Sequence, residues 1–276
     1  MAGSYTTPAK EAVEHTHHVF NLFKSVSGVK RFRGRAVDVG PGDSCSLGLL
    51  FLADGCEHVD LADRFSFSDS PLQQEINRLI AQESDRLISD NGTFSESSFS
   101  GLQRHSGEGA AAEKFFTLNK GYDFIVSAAT LEHVYDPLSA LTSMASALNP
   151  GGVMIHGIDF RDHGQFSESF HDLKFLELPN VLYAPFRWQG GPNRVRLGAY
   201  VKHLEELGFT VDSFATFIAG TKEEIAPSRL NSLPAQVHDS AMRLIAETRP
   251  HLSKRFKYLP DEDLMAAGMV IVARKI

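Results

Sequence analysis

Apolar and polar positions follow two different periods along the 276 residues of this chain. Four short apolar runs have the length and composition of buried strands. They are residues 35–39, 58–62, 122–128 and 153–158. Three longer segments carry apolar residues at helical spacing; they are residues 46–55, 72–88 and 138–148. Strands that alternate with helices predict an α/β protein with a mostly parallel sheet.

The two ends of the chain add further elements to this pattern. Thr7 and Pro8 are residue types that begin helices, and the apolar spacing after them predicts an N-terminal helix that covers a ligand site. Near the other end, the pattern predicts one helix and two late strands. They are residues 197–208, 211–218 and 269–274.

Two stretches lack a clear period. Residues 89–109 are rich in Ser and Gly, and their polarity predicts a loop or insertion. Residues 160–192 are aromatic and charged and end in Gly190, Gly191 and Pro192. We expect this second stretch to form a mobile cap over the carboxyl edge of the sheet, with the glycines as its hinge.

Composition narrows the class of partner. The net charge is -7, from 27 Lys and Arg against 34 Asp and Glu, and no basic run exceeds two residues, so we expect no nucleic-acid partner. Neither a signal-peptide core nor a membrane-length apolar stretch is present, which predicts a cytoplasmic protein without membrane contact. Cys45 and Cys56 have no Cys/His partners at metal-ligand spacing, and we interpret them as reduced core thiols.

A glycine turn follows the first predicted strand. AVDVGPGD places Gly40 and Gly42 where a missing side chain allows the backbone to approach a ligand closely. The same spacing occurs in dinucleotide-binding proteins, but position 45 is Cys where they have Gly or Ala. This difference favours another adenosine-containing cofactor, although a plain tight turn has the same sequence.

An acidic residue after the second strand is the next requirement for ribose binding. HVDLAD offers Asp60 and Asp63 about 20 residues past the glycines. Asp63 lies at the predicted carboxyl end of the strand and is the better candidate. Asp60 lies within the strand and is expected to project to the opposite face as a solvated or helix-paired charge.

In order and spacing, the motifs VDVGPGD, LADRF, YDFIVSAATLEHVYDP and LNPGGVMIHGIDF resemble those of class I S-adenosylmethionine-dependent methyltransferases, closely over residues 34–160. The resemblance implies that S-adenosylmethionine is the cofactor and is held by a set of residues on the first four strands. They are Asp38, Gly40, Gly42, Asp63, Arg64, Gly109, Ala110, Ser127 and Ala128. Ser44 replaces the usual third glycine of the turn. Within the family, these motifs look like those of bacterial enzymes that methylate small metabolites or glycan precursors.

The implied fold is a Rossmann-like three-layer sandwich with a seven-stranded, mostly parallel sheet, an antiparallel last strand and a small cap after the fifth strand. We expect one methyltransferase domain over residues 1–276, acting as a monomer or homodimer. Its parts are an N-terminal helical lid (1–33), a cofactor-binding core (34–159), a cap insertion (160–195) and a C-terminal helix with closing strands (196–276).

Methyl transfer to a hydroxyl also requires a base. His133 follows the fourth strand, where ligands collect in open α/β sheets, and imidazole suits proton transfer near neutral pH, although a packing histidine fits the same position. Asp159 and His163, after the fifth strand, are further candidates for proton transfer. Asp159 and Asp162 alone are too few ligands for a divalent metal, and we expect none.

Acceptor binding is assigned to arginines and one aromatic residue near the cap: Arg161, Arg187, Trp188 and Arg194. His15 and His18 share one face of the N-terminal helix, which we interpret as solvated. Three functions fit the sequence: O-methylation of a small polar molecule by in-line displacement, an NAD(P)-dependent oxidoreductase, and a protein that binds the adenosyl cofactor without catalysis.

Overall fold

A computed structural model describes residues 9–87, 89, 92–188 and 191–276, with Trp188 described by its backbone alone. The strands are β1 (Gly34–Val39), β2 (Cys56–Asp63), β3 (Leu102–Ser106), β4 (Tyr122–Ala128), β5 (Leu148–Asp159), β6 (Phe209–Ile218) and β7 (Ala266–Lys275). Their order in one sheet is β3-β2-β1-β4-β5-β7-β6, with the last strands antiparallel. The predicted Rossmann-like α/β fold is confirmed.

The helices are α1 (Ala9–Ser27), α2 (Ser46–Asp54), α3 (Pro71–Ala81), α4 (Ala112–Leu118), α5 (Pro137–Ala147), α6 (Asn180–Trp188), α7 (Leu197–Glu206), α8 (Ala235–Thr248) and α9 (Asp261–Met265). Among the described residues, none of these helices has the length and apolarity required to cross a membrane. The chain divides into two compact units. The first comprises residues up to 128, residues 140–155 and Lys275, and the second comprises 129–139, 156–274 and Ile276.

In the first unit, a buried carboxylate cross-links four strands. Asp60 of β2 is 0% exposed and accepts hydrogen bonds from Arg35 of β1 (2.7 Å), Tyr122 of β4 (2.8 Å) and His105 of β3 (2.7 Å). Burial raises the pKa of Asp60, but the hydrogen bonds from His105, Tyr122 and Arg35 outweigh it and keep the pKa below its ordinary value. The predicted solvated or helix-paired charge was wrong, because these three donors replace water around the carboxylate.

An aromatic cluster joins α1 to the sheet of the first unit. Phe20 of α1 lies 5.4 Å from Phe51 of α2 and 5.7 Å from Phe32, measured between ring centroids. Phe32 in turn contacts Phe124 of β4 at 4.9 Å, with the rings nearly perpendicular. Edge-to-face packing of buried rings is favourable, so α1 is held by core contacts as well as by its own helix propensity.

Two predicted boundaries in the first unit were wrong. The helix predicted over 72–88 ends at Ala81, because a turn from Ser84 to Leu87 replaces the helical hydrogen bonds there. The loop predicted over 89–109 contains β3, which pairs in parallel with β2. Its sequence LQRHS is polar, and two of its side chains pair with buried carboxylates: Arg104 with Glu96, and His105 with Asp60.

In the second unit, a buried arginine connects the end of β5 to the segment before β7. Arg196 is 4% exposed and donates to the backbone carbonyls of Phe160 (2.7 Å) and Asp263 (3.0 Å). The stretch predicted as an irregular cap contains α6 and a 3-10 turn at Lys174–Leu176. Gly190, part of the predicted hinge, lies outside the described residues.

Candidate active site

The glycine turn after β1 is tied to the end of β2. Gly40 and Gly42 have φ values of 72° and 62°, in the left-handed region that side chains other than glycine's rarely adopt. The amide of Gly40 donates to the carbonyl of Ala62 (2.8 Å), and that of Gly42 donates to the carboxylate of Asp63 (2.9 Å). The structure therefore brings four of the predicted cofactor residues, including Asp38 at the end of β1, to one place.

Asp38 is the buried acidic group of this place, with 4% of its surface exposed. Burial raises the pKa of Asp38 to about 7; the positive charge of Arg104 opposes this rise, and the negative charge of Asp63 adds to it. About half of the Asp38 side chains are therefore protonated at neutral pH in the absence of a ligand. A cationic ligand group would favour the ionised form.

Arg104, on β3, forms hydrogen bonds to the glycine turn, and the sequence analysis did not predict it as a site residue. Its side chain is 6% exposed and forms an ion pair with Glu96, which is 7% exposed, at 2.8 Å. The same guanidinium donates to the carbonyls of Gly42 (2.9 Å) and Ser44 (3.2 Å). The signal that could have revealed it is the arginine inside a short strand, since a buried arginine requires partners.

A cavity of about 400 Å³ opens against the turn. This volume lies in the range of small-molecule sites. The cavity is lined from β1, the turn, α2 and β4 on one side, by Asp38, Gly40, Pro41, Ser44, Ser46, Leu47 and Ala128. It is lined from α1 and α3 on the other, by Glu11, Ala12, His15, Thr16, Val19, Leu72, Gln73 and Ile76.

Helix α1 is attached to the turn through hydroxyl groups. Thr16 contacts Ser46 at 2.9 Å, and Ser46 contacts Ser44 at 2.6 Å. His15 and His18 are both exposed, which confirms the solvated face predicted for them, and His15 also lines the cavity. The N-terminal helix covers a cavity in the first unit, while its role as a lid stays a prediction.

Six of the predicted cofactor residues lie outside the lining of this cavity: Gly42, Asp63, Arg64, Gly109, Ala110 and Ser127. Arg64 forms an ion pair with Glu108 at 2.7 Å, both side chains being largely exposed. Ala110 is 3% exposed, and a Cβ atom at Gly109 would meet nothing within 4 Å. Ser127 is fully buried in β4. The assignment of these residues to the cofactor stays a prediction.

In the second unit, the segments after β4 and β5 form a cluster of proton-transfer groups. The backbone amide of Ala129 donates to the carbonyl of Gly157 (2.9 Å), which holds the two segments side by side. The rings of His133 and His163 have centroids 4.9 Å apart, and Asp159 lies 3.8 Å from His163. All three predicted proton-transfer residues are thus brought together.

Glu132 belongs to the same cluster and was missed. It is 2% exposed, accepts a hydrogen bond from the amide of Asp159 (3.3 Å), and burial raises its pKa to about 8. One ligand atom each from Glu132, His133 and His163 lie within 4.8 Å of one another. The prediction of no metal weighed only Asp159 and Asp162 and stays a prediction.

The four residues predicted to bind the acceptor have other partners or are not described. Arg161 is paired with Asp159 (2.8 Å). Arg194 is 4% exposed and donates to the carbonyls of Phe175 and Leu178, so its role in the structure is internal. Arg187 donates to the carbonyl of Tyr135. The side chain of Trp188 lies outside the described residues.

A family model described as a methyltransferase domain matches residues 15–213, which is more than two thirds of the chain. The chain belongs to this family. With its strand order, it is a class I S-adenosylmethionine-dependent methyltransferase, which confirms the predicted enzyme class and cofactor and excludes the oxidoreductase alternative. A comparison of the methyltransferase with curated proteins gives no match.

Several solved structures match the methyltransferase over most of its length. One is a protein of Galdieria sulphuraria assigned as a sarcosine dimethylglycine methyltransferase, with a TM-score of 0.50, 17% identity and coverage of 99% of this chain and 90% of that one. Another is the YcgJ protein of Bacillus subtilis, with a TM-score of 0.48, 14% identity and coverage of 94% and 98%. At these identities the likeness is one of fold.

Proposed function

We propose that the methyltransferase methylates a hydroxyl group of a small polar metabolite or glycan precursor. The observation that carries this proposal is the cluster of His133, His163 and Asp159 at the carboxyl ends of β4 and β5. A hydroxyl needs a group that removes its proton during transfer, and imidazole has the appropriate ordinary pKa. Glu132, buried beside the cluster, adds a second titratable carboxyl group.

The residues of the first unit fit the cofactor. Bound S-adenosylmethionine supplies a methyl group on a sulfonium that is already activated for in-line displacement. Asp38 is a buried carboxylate suited to the amino group of the methionine end, and the turn at Gly40 and Gly42 allows a close backbone approach. The amides of Gly42 and Phe65 each fix one oxygen of Asp63, which would accept hydrogen bonds from ribose hydroxyls through its remaining lone pairs.

In this proposal the chain has three tasks. The turn and Asp38 orient the cofactor, the walls of the cavity exclude water, and His133 takes the proton of the acceptor hydroxyl. Asp159, 3.8 Å from His163, places a negative charge beside the imidazole pair, and a carboxylate near an imidazole favours its protonated form.

A variant with Ala at His133 tests the role of this imidazole. We expect His133→Ala to lower methyl transfer by about 10²- to 10⁴-fold, because the general base is lost, while affinity for S-adenosylhomocysteine is unchanged. Transfer is measured with a methyl-labelled cofactor and a panel of sugars and hydroxylated metabolites. His251→Ala, at an exposed histidine outside the cluster, is the matched control. Normal turnover with a lowered melting temperature would show that His133 only packs.

A further inference from the structure

The wall of the cavity formed by α1 and α3 consists of four apolar and four polar side chains. Its apolar members are Ala12, Val19, Leu72 and Ile76. Its polar members with long side chains are Glu11 and His15 on α1 and Gln73 on α3. Glu11 and His15 are four residues apart and therefore lie on the same face of α1. Polar groups set among apolar side chains are the usual means of fixing the orientation of a small ligand.

Gln73 carries a buried oxygen without a hydrogen-bond partner. Among the residues that the structure describes, its Oε1 is one of four buried side-chain atoms in this condition. The backbone amide of Gln73 donates to the N-cap hydroxyl of Ser70 (3.3 Å). The capping of the helix therefore gives the Gln73 backbone a partner, but it gives none to the side-chain oxygen. A buried oxygen without a donor destabilises the protein, and a donor group on a ligand would remove this penalty.

The opposite wall indicates which part of a ligand comes near this oxygen. It contains Asp38 and the glycine turn, which hold the methionine end of the cofactor in the proposed function. The methyl group to be transferred is attached to the sulfur of that end. A methyl acceptor that enters this cavity between the turn and the wall formed by α1 and α3 would come close to that sulfur.

We propose that Gln73, together with Glu11 and His15, recognises an O–H or N–H donor on the methyl acceptor. This inference rests on the proposed function, since it uses the cofactor orientation given there. Gln73 supplies a neutral hydrogen-bond acceptor inside the cavity, and Glu11 supplies a negative charge at an exposed position on its lining. The subsite therefore favours neutral or cationic polar molecules and disfavours carboxylates and phosphates, which offer no donor when ionised.

The test uses sinefungin, a cofactor analogue with an amino group where S-adenosylmethionine carries its methyl group. Calorimetry compares its affinity with that of S-adenosylhomocysteine, which lacks any group at that place. We expect the wild type to prefer sinefungin by about tenfold or more, because a charged donor reaches the Gln73 oxygen. Gln73→Met should abolish this preference and leave the affinity for S-adenosylhomocysteine unchanged.

Two further variants separate recognition from packing. Gln73→Glu should increase the preference for sinefungin, since a carboxylate binds a cationic donor more strongly, an effect that a packing role would not produce. Gln74→Leu, at the neighbouring exposed glutamine of the same helix, should change nothing. If the wild type binds neither ligand, the proposed function fails. If it binds both and no Gln73 variant alters their ratio, the subsite is overturned and the proposed function stands.

Discussion

Asp38 shows how one carboxyl group can couple cofactor binding to pH. Its pKa of about 7 in the free protein results first from burial and is moderated by Arg104. In the proposed function, the cationic amino group of the cofactor's methionine end would bind the ionised form of Asp38. Below pH 7 the protein must first release the Asp38 proton, which weakens binding.

We expect affinity for S-adenosylhomocysteine to fall about tenfold between pH 8 and pH 6. The ionised fraction of a group with a pKa near 7 changes by about this factor over that interval. The sign follows from the raised pKa, since protonation removes the charge that the ligand requires. Calorimetry across this pH range measures the effect.

Asp38→Asn is the control for this pH dependence. The amide keeps the size of the side chain and cannot ionise, so its affinity should be low and constant between pH 6 and pH 8. A tenfold change that persists in Asp38→Asn would assign the titration to another group.

The role of a buried arginine such as Arg194 could not be predicted from the sequence. Arg194 was assigned to the acceptor because arginine binds anionic groups well. In the structure its guanidinium donates to two backbone carbonyls and lies 3.9 Å from the centre of the Tyr183 ring. Nothing in the local sequence separates the two roles, because the partners of Arg194 are 14 to 19 residues away in the chain.

The elements differ in how well their sequences predict them. The strands β1, β2 and β4 are mostly buried and contain short runs of apolar residues, which is why their positions could be predicted. Strand β3 lies at the edge of the sheet and none of its residues is fully buried. Its stability depends on ion pairs with Glu96 and Asp60, which periodicity cannot detect.

The pair of Arg104 and Glu96 makes β3 part of the candidate cofactor site. We expect Arg104→Met to destabilise the protein by about 3 to 5 kcal/mol, because it leaves Glu96 buried without a partner. It should also weaken S-adenosylhomocysteine binding, since the carbonyls of Gly42 and Ser44 lose their donor. Denaturant unfolding and calorimetry measure the two effects.

A double-mutant cycle separates the two contributions. Arg104→Met combined with Glu96→Met removes the unpaired charge and should recover most of the stability. Binding of S-adenosylhomocysteine should stay weak in the double variant, because the turn still lacks the guanidinium. Full recovery of binding would show that Arg104 acts on stability alone and does not position the turn.

For the whole molecule, the fold and cofactor class could be predicted because they depend on local signals. A strand, a glycine turn and an acidic residue at a fixed distance lie within about 25 residues of one another. The cavity wall from α1 and α3 depends on tertiary contacts such as Thr16 with Ser46, which join residues 30 positions apart. This is why the sequence did not place His15 and Gln73 at the cavity.

Cofactor binding should slow hydrogen exchange in some segments of the chain and leave it unchanged in others. We expect saturating S-adenosylhomocysteine to slow exchange in α1 and in residues 38–46, because these segments line the cavity and their local opening would release the ligand. The segment 160–188 should gain protection only when an acceptor is added, as predicted for a cap. Strand β7, nearly all of it buried, is the internal reference, since its exchange should be slow throughout. An unchanged α1 in the presence of the ligand would mean that this helix packs against the core without closing the cofactor cavity, and the subsite on its inner face would lose its basis.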